Sequence, residues 1–118
     1  ALAGAGAAGT AIAFEFAQRG GRKLAIWSRA DGEVDALASR LAGTGIDVVT
    51  GLPESLGGYD IAINATPLGM DHAPGSAFSD DLVPTLPAGA FAADAITEPT
   101  VTRFLAAARA CGLRTIDG

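Results

Sequence analysis

Gly4, Gly6 and Gly9 fall in the spacing G-x-G-x-x-G, within the run Gly4-Ala5-Gly6-Ala7-Ala8-Gly9. The run follows a short apolar stretch and precedes a helical pattern, and that placement constrains the fold more than any other feature. Gly4 permits a tight turn, and Gly6 lacks a Cβ, so a pyrophosphate can approach the backbone. Gly9 lets the helix pack closely. The helix N-terminus then offers unpaired N–H groups and a positive partial charge to an anion. A turn with only a packing role is the competing reading, because a chain rich in Gly and Ala generates the spacing by chance; 16 of the 118 residues are glycine.

The rest of the chain alternates between short runs rich in β-branched residues and longer helical patterns. Residues 1–3 read as the tail of a first strand, 8–19 as a helix and 24–28 as a second strand. Val34, Leu37, Ala38 and Leu41 recur at i, i+3, i+4 and i+7, the signature of an amphipathic helix. Residues 46–50 give a third strand, 53–58 a turn or single helical turn, and 60–64 a fourth strand. The polar stretch 66–87, scattered with Gly and Pro, reads as a long loop with one helical turn near 79–83. Residues 90–96 give a fifth strand. Val101, Phe104, Leu105 and Ala108 then share one face of a last helix, and 114–117 give a sixth strand. Strands and helices in alternation imply parallel strands joined by right-handed crossovers. The expected fold is therefore α/β, a Rossmann-like doubly wound parallel sheet with helices on both faces, in one domain over 1–118.

A net charge of −5 repels phosphate backbones and anionic membranes, so neither nucleic acid nor a membrane is an expected partner. The single cysteine excludes an internal disulfide and a multi-cysteine metal site. No apolar stretch reaches the roughly 20 residues that span a bilayer, and no basic leader precedes the apolar start. These features predict a soluble protein of a reducing compartment, the cytoplasm. Three residues before Gly4 are fewer than a strand usually has, so the chain is expected to be part of a longer protein.

The end of the second strand selects the ribose. A site for NAD usually carries Asp or Glu about 20 residues past the glycines, to bond the 2′-hydroxyl. Here Ser28-Arg29 stands instead, and Arg29 suits adenine stacking and a 2′-phosphate. NADP is the expected cofactor, with NAD possible. Asp31 and Glu33 weigh the other way: they read either as an N-cap and a first-turn acid for the next helix, or as ribose contacts that favour NAD.

Ile63-Asn64-Ala65-Thr66-Pro67-Leu68-Gly69-Met70, then Asp94-Ala95-Ile96-Thr97-Glu98-Pro99, then Ile116-Asp117-Gly118 form three ordered blocks. With the glycine turn they resemble the C-terminal cofactor domain of the shikimate/quinate dehydrogenase family, over essentially the whole chain. The resemblance implies a pyrophosphate loop at Gly6, Ala7 and Ala8. It implies an adenosine-ribose pair at Ser28 and Arg29, and a loop past the nicotinamide-side ribose at Ala65, Thr66 and Pro67, within the block that ends at Met70. Ile96 and Gly118 are similar to positions flanking the nicotinamide. The implied activity is reversible hydride transfer between NADP(H) and a substrate of the 3-dehydroshikimate/shikimate or quinate type. An NAD-preferring quinate/shikimate-like dehydrogenase and a non-catalytic Rossmann nucleotide-binding module are the alternatives.

Departures from the family are informative. An acid at Glu33 stands where the family often has a second basic residue, and Thr97 replaces a substrate-contacting Tyr. Ala7 and Gly9 replace the commoner Gly and small non-Gly residues. The family's catalytic Lys and Asp belong to an N-terminal substrate domain that would hold the cyclic hydroxy-acid. The only lysine, Lys23, begins the second strand, so no catalytic residue is assigned here, and no metal ligand. The helix returning to the substrate domain is likewise expected outside the chain. Other conspicuous residues have plain readings. His72 is expected to be a solvated loop histidine. Cys111 is expected to pack on the last helix's apolar face, and Trp27 to pack rather than stack on adenine. Asp94 is expected to serve a turn or cap, or else a ligand, and Asp80-Asp81 to begin a solvated helix.

Overall fold

Alternation of side chains along six parallel strands divides the core into two layers, one on each face of a single sheet. A computed structural model describes residues 1–30 and 32–118. In chain order the elements are β1 (Leu2–Ala3), α1 (Ala7–Gln18), β2 (Lys23–Trp27), α2 (Glu33–Leu41), β3 (Asp47–Thr50) and β4 (Ile61–Asn64). After them come a 3-10 turn (Val83–Thr85), β5 (Phe91–Asp94), α3 (Arg103–Ala110) and β6 (Arg114–Ile116). The strand order is β3-β2-β1-β4-β5-β6, with every pairing parallel. The direction of winding reverses beside β1, which pairs with β2 on one edge and β4 on the other. This is the doubly wound α/β fold expected from the sequence.

On one face Leu2, Leu24 and Ile26 are buried with Ala13 of α1 and Leu37 and Leu41 of α2. On the other, β1, β2, β4 and β5 present Ala3, Ala25, Ala62 and Ala92. These methyl groups leave room for bulky partners from α3 and the loop before β5. Phe78 and Phe104 fill that space with ring centroids 4.9 Å apart, beside Leu82, Val83 and Leu105. Fully burying one such side chain contributes roughly 1.5–3 kcal/mol.

The loop is therefore core as well as connection. Its polarity suggests a solvated excursion, yet Ala77, Phe78, Leu82, Val83 and Leu86 are all buried. The helical turn near 79–83 is present: the Ser79 carbonyl accepts from the Leu82 and Val83 N–H groups, and the 3-10 turn follows. Asp80 and Asp81 are exposed there. Asp80 accepts a 2.9 Å bond from Arg103, whose guanidinium holds its carboxyl below the usual range and ties the loop to α3.

Several boundaries differ for local reasons. Gly6 caps α1, so the helix covers Ala7–Gln18 rather than 8–19, and Gly20 at φ 83° follows its end. The stretch 53–58 is not helical; only a turn forms, where Tyr59 N–H donates to the Leu56 carbonyl. β5 stops at Asp94 rather than at position 96, because the Asp94 carboxylate accepts the Ile96 N–H and bends the chain out of the ladder. Val101 is not on the last helix. Thr102 is its N-cap, accepting from Leu105 N–H, and Val101 is 43% exposed. Cys111, expected on the apolar face, is the exposed C-cap residue, because the helix ends at Ala110 before Gly112 turns the chain. Among the described residues no helix is long and apolar enough to cross a membrane.

Candidate functional site

The glycine turn sits where β1, β2 and β4 end. Gly4 adopts φ 105° and donates to the Trp27 carbonyl at 2.6 Å. An added Cβ there would stand 2.6 Å from the Ala65 carbonyl oxygen, so Gly4 is fixed by the backbones on both sides. Gly9, on the first turn of α1, faces back on the same loop: its Cβ would stand 2.6 Å from the Gly4 carbonyl carbon. Gly6 is different. A Cβ added there meets nothing within 4 Å, so its open side faces space a ligand can use.

Gly6, Ala7 and Ala8 are exposed at the start of α1. No side chain caps this end, and no acidic residue occupies its first turn. The first helical bond runs from Thr10 N–H to the Gly6 carbonyl, which leaves the earlier N–H groups free to bind an anion. A cavity of about 480 Å³ opens in front of them, within the range of small-molecule sites. Its walls include Gly4 and Gly6, Ser28 and Arg29, and the Ala65-Thr66-Pro67 loop. The structure thus gathers three separate sequence blocks around one space, at the strand C-termini beside β1 where such sheets bind ligands. A second cavity, about 390 Å³, lies beside α1 at the opposite strand ends, near Lys23 and Ile61. It contains none of the expected site residues.

Buried side chains hold the loop at the end of β4. Asn64 is fully buried and paired in register with Asp94 of β5. Its Nδ2 donates to the Leu68 carbonyl (3.0 Å) and to Asp94 Oδ1 (3.1 Å), while its Oδ1 accepts from the Thr66 N–H and hydroxyl. Asp94 Oδ2 accepts from Thr102 Oγ1 at 2.7 Å, which in turn caps α3. One network therefore sets the 65–68 loop, the turn after β5 and the start of α3. No buried side-chain nitrogen or oxygen among the described residues lacks a partner, so Asp94 serves the turn and the cap, as one of its two sequence readings held.

Ala7, Ala8, Gly9, Met70, Ile96 and Gly118 are not in the cavity wall. Ile96 is 2% exposed, with Cδ1 beside Gly69. Gly118 passes so close to this turn that a Cβ would stand 2.6 Å from the Ala95 and Ile96 oxygens. The structure therefore brings Ile96 and Gly118 together. Met70 is half-buried in the tight turn 67–73, donating to the Pro67 carbonyl. Asp31 lies outside the described residues. Gly32, not an acidic side chain, is the N-cap of α2. Trp27 packs on the core layer that holds α3.

Some lining residues were not singled out by sequence, among them Leu68 and Ala73. His72 is exposed, as expected, but also lines the cavity. So does Glu33, whose Oε2 accepts from Ser28 Oγ at 3.3 Å. Lys23 is at the far end of β2, its ammonium 4.9 Å from the Tyr59 ring centroid.

No family model matches the chain. It is 39% identical over 116 residues to a shikimate dehydrogenase (NADP(+)) of Methylobacterium radiotolerans, covering 98% of this chain and 40% of that protein. Quinate dehydrogenase from Corynebacterium glutamicum in complex with NAD superposes with TM-score 0.81 at 32% identity, over 99% of this chain and 43% of that one. Shikimate 5-dehydrogenase from Thermus thermophilus, in complex with NADP(H) and shikimate, gives 0.77 at 30% identity, covering 99% and 41%. The chain thus spans about 40% of the length of the curated relatives it matches.

Proposed function

Because the chain is homologous along nearly its whole length to the shikimate/quinate dehydrogenase family, we propose that it is the cofactor-binding domain of such an oxidoreductase. The observation that carries this reading is the cavity at the ends of β1, β2 and β4, faced by the uncapped start of α1. Its residues fit a nicotinamide dinucleotide. The Gly6, Ala7 and Ala8 backbone would take the pyrophosphate, and Ser28 and Arg29 the adenosine ribose and its 2′-phosphate. The 65–67 loop would pass the second ribose, with Met70, Ile96 and Gly118 around the nicotinamide. The bound dinucleotide supplies the hydride acceptor or donor. This chain's part is to orient it, with the Asn64–Asp94–Thr102 network keeping the loop and the 95–96 turn in fixed relation.

The whole protein would interconvert a cyclic hydroxy-acid of the shikimate or quinate type and its ketone, in the cytoplasm. The groups that move the substrate proton would come from a substrate domain outside residues 1–118. Arg29 supports NADP as the preferred cofactor, since a guanidinium pairs well with a phosphate. Trp27, the only tryptophan, is adjacent to Ser28, so quenching of its fluorescence and energy transfer to NADPH are the readout of the binding titration. Arg29→Ala is expected to weaken NADPH binding about tenfold or more, the scale of one charge-assisted hydrogen bond, and NADH binding about threefold at most. Unchanged NADPH affinity in that variant would contradict the NADP assignment.

A further inference from the structure

His72 is the one aromatic side chain in the cavity wall among the described residues. It enters from the side opposite Arg29. Arg29 follows β2 and His72 follows β4, and these two strands flank β1. At a strand spacing of about 4.8 Å the two segments leave the sheet about 10 Å apart, with Gly4, Ala5 and Gly6 between them. The turn that carries His72 is fastened around it. Gly69 N–H donates to the Ala73 carbonyl at 2.8 Å, and Ala73 N–H donates to the Met70 carbonyl at 3.0 Å. The Leu68 carbonyl accepts from buried Asn64 at 3.0 Å. The imidazole is exposed, and among the described residues it forms no ion pair with either neighbouring Asp71 or Glu33.

We propose that His72 is an adenine-stacking residue: its imidazole lies against one face of the purine of the bound dinucleotide, with the Arg29 guanidinium against the other. The inference rests on the cofactor reading above. Both groups are flat and delocalised, and both stack on aromatic faces. The edge of the guanidinium is left for the 2′-phosphate. The surroundings of His72 suit a base and not a further phosphate. Pro67, Leu68 and Ala73 beside it are apolar, while the backbone N–H groups that take a pyrophosphate lie at the uncapped start of α1. A histidine that served only to meet solvent would point away from the cavity, and this one lines it.

His72 is the only histidine, so its ring protons can be followed singly in ¹H–¹³C spectra at fixed pH. NADP⁺ and ADP are each expected to move both carbon-bound ring protons upfield, through the ring current of the stacked base. Nicotinamide mononucleotide, which has no purine, leaves them in place. Calorimetric titration with NADP⁺ measures the energetic counterpart. His72→Ala weakens binding about 5- to 20-fold, and His72→Phe, which keeps a ring without a charge, stays within about threefold of the parent. Both variants keep the parent's melting point to within a few degrees, as substitutions at exposed positions do. Three results overturn the stacking role and leave the cofactor reading standing. They are ring protons that stay put while NADP⁺ binds, an alanine variant within about twofold of the parent, and a phenylalanine variant as weak as alanine. If the parent shows no saturable NADP⁺ binding, the cofactor reading falls and this inference with it.

Discussion

Gly9→Ala is expected to lower stability by about 2–3 kcal/mol and to weaken dinucleotide binding at least tenfold. Alanine is intrinsically the better helix former, by about 1 kcal/mol in a helix interior, so propensity alone predicts a gain. Contact geometry reverses the sign. The new Cβ would fall inside the Gly4 carbonyl, 2.6 Å from its carbon, and the obstacle is backbone that cannot rotate away. Overpacking of this kind costs about 1–3 kcal/mol or more. Gly4 is itself confined between the Trp27 and Ala65 carbonyls, so the strain passes to the following residues, of which Ala5 and Gly6 line the cavity. Thermal melts and NADPH titration of the variant check both effects. A melting point at or above the parent's would show that the turn relaxes freely and that Gly9 is not a packing constraint.

Asp94→Ala is expected to be as costly, through a different mechanism. The carboxylate accepts from Asn64 Nδ2, Ile96 N–H and Thr102 Oγ1, and the residue is 3% exposed. Removing it leaves the buried Ile96 N–H without its acceptor and frees the Thr102 cap and one Asn64 contact. Unsatisfied buried groups cost about 1–3 kcal/mol each, so a loss of about 3 kcal/mol or more follows. In a domain of this size that lowers the melting point by about 10 °C or more. Asp94→Asn separates shape from chemistry. Its amide oxygen can still accept from Asn64 and Ile96, but its NH₂ faces Thr102 Oγ1, which must turn from donor to acceptor. That oxygen already accepts the Leu105 N–H at 3.3 Å. The expected loss for Asn is about 1 kcal/mol. Equal melting points for Asp94→Ala and the parent would refute the network's structural role.

What could be read from the sequence followed how local each signal is. The glycine spacing, the strand and helix alternation and the helix seam at Val34, Leu37 and Leu41 are short-range patterns, and the structure reproduces them to within a residue or two at most ends. Helix ends set by a single side chain were harder. Val101 and Cys111 both fit the apolar spacing of α3, but Thr102 starts that helix and Gly112 turns the chain just beyond it. The loop before β5 misled because its polar composition hides Phe78, Leu82 and Val83, whose burial depends on the alanine-lined face of a sheet built from distant segments. Asn64 and Asp94 are 30 residues apart, and only the β4–β5 register brings them together. The site was legible as separate pieces: motif spacing names Gly6, the end of the second strand Ser28 and Arg29, and the family resemblance the 65–67 loop. The fold puts them around one cavity together with Glu33, which accepts from Ser28.

The central claim, that the start of α1 receives a dinucleotide pyrophosphate, is tested most directly by amide chemical-shift mapping. Titrating ¹⁵N-labelled chain with NADP⁺ is expected to give saturable shifts, largest at Gly6, Ala7 and Ala8 and continuing through Ser28, Arg29 and Ala65–Thr66. Shifts that are absent at millimolar NADP⁺, or that concentrate instead on Ile12, Phe16 and Ile61 beside the opposite cavity, would contradict it.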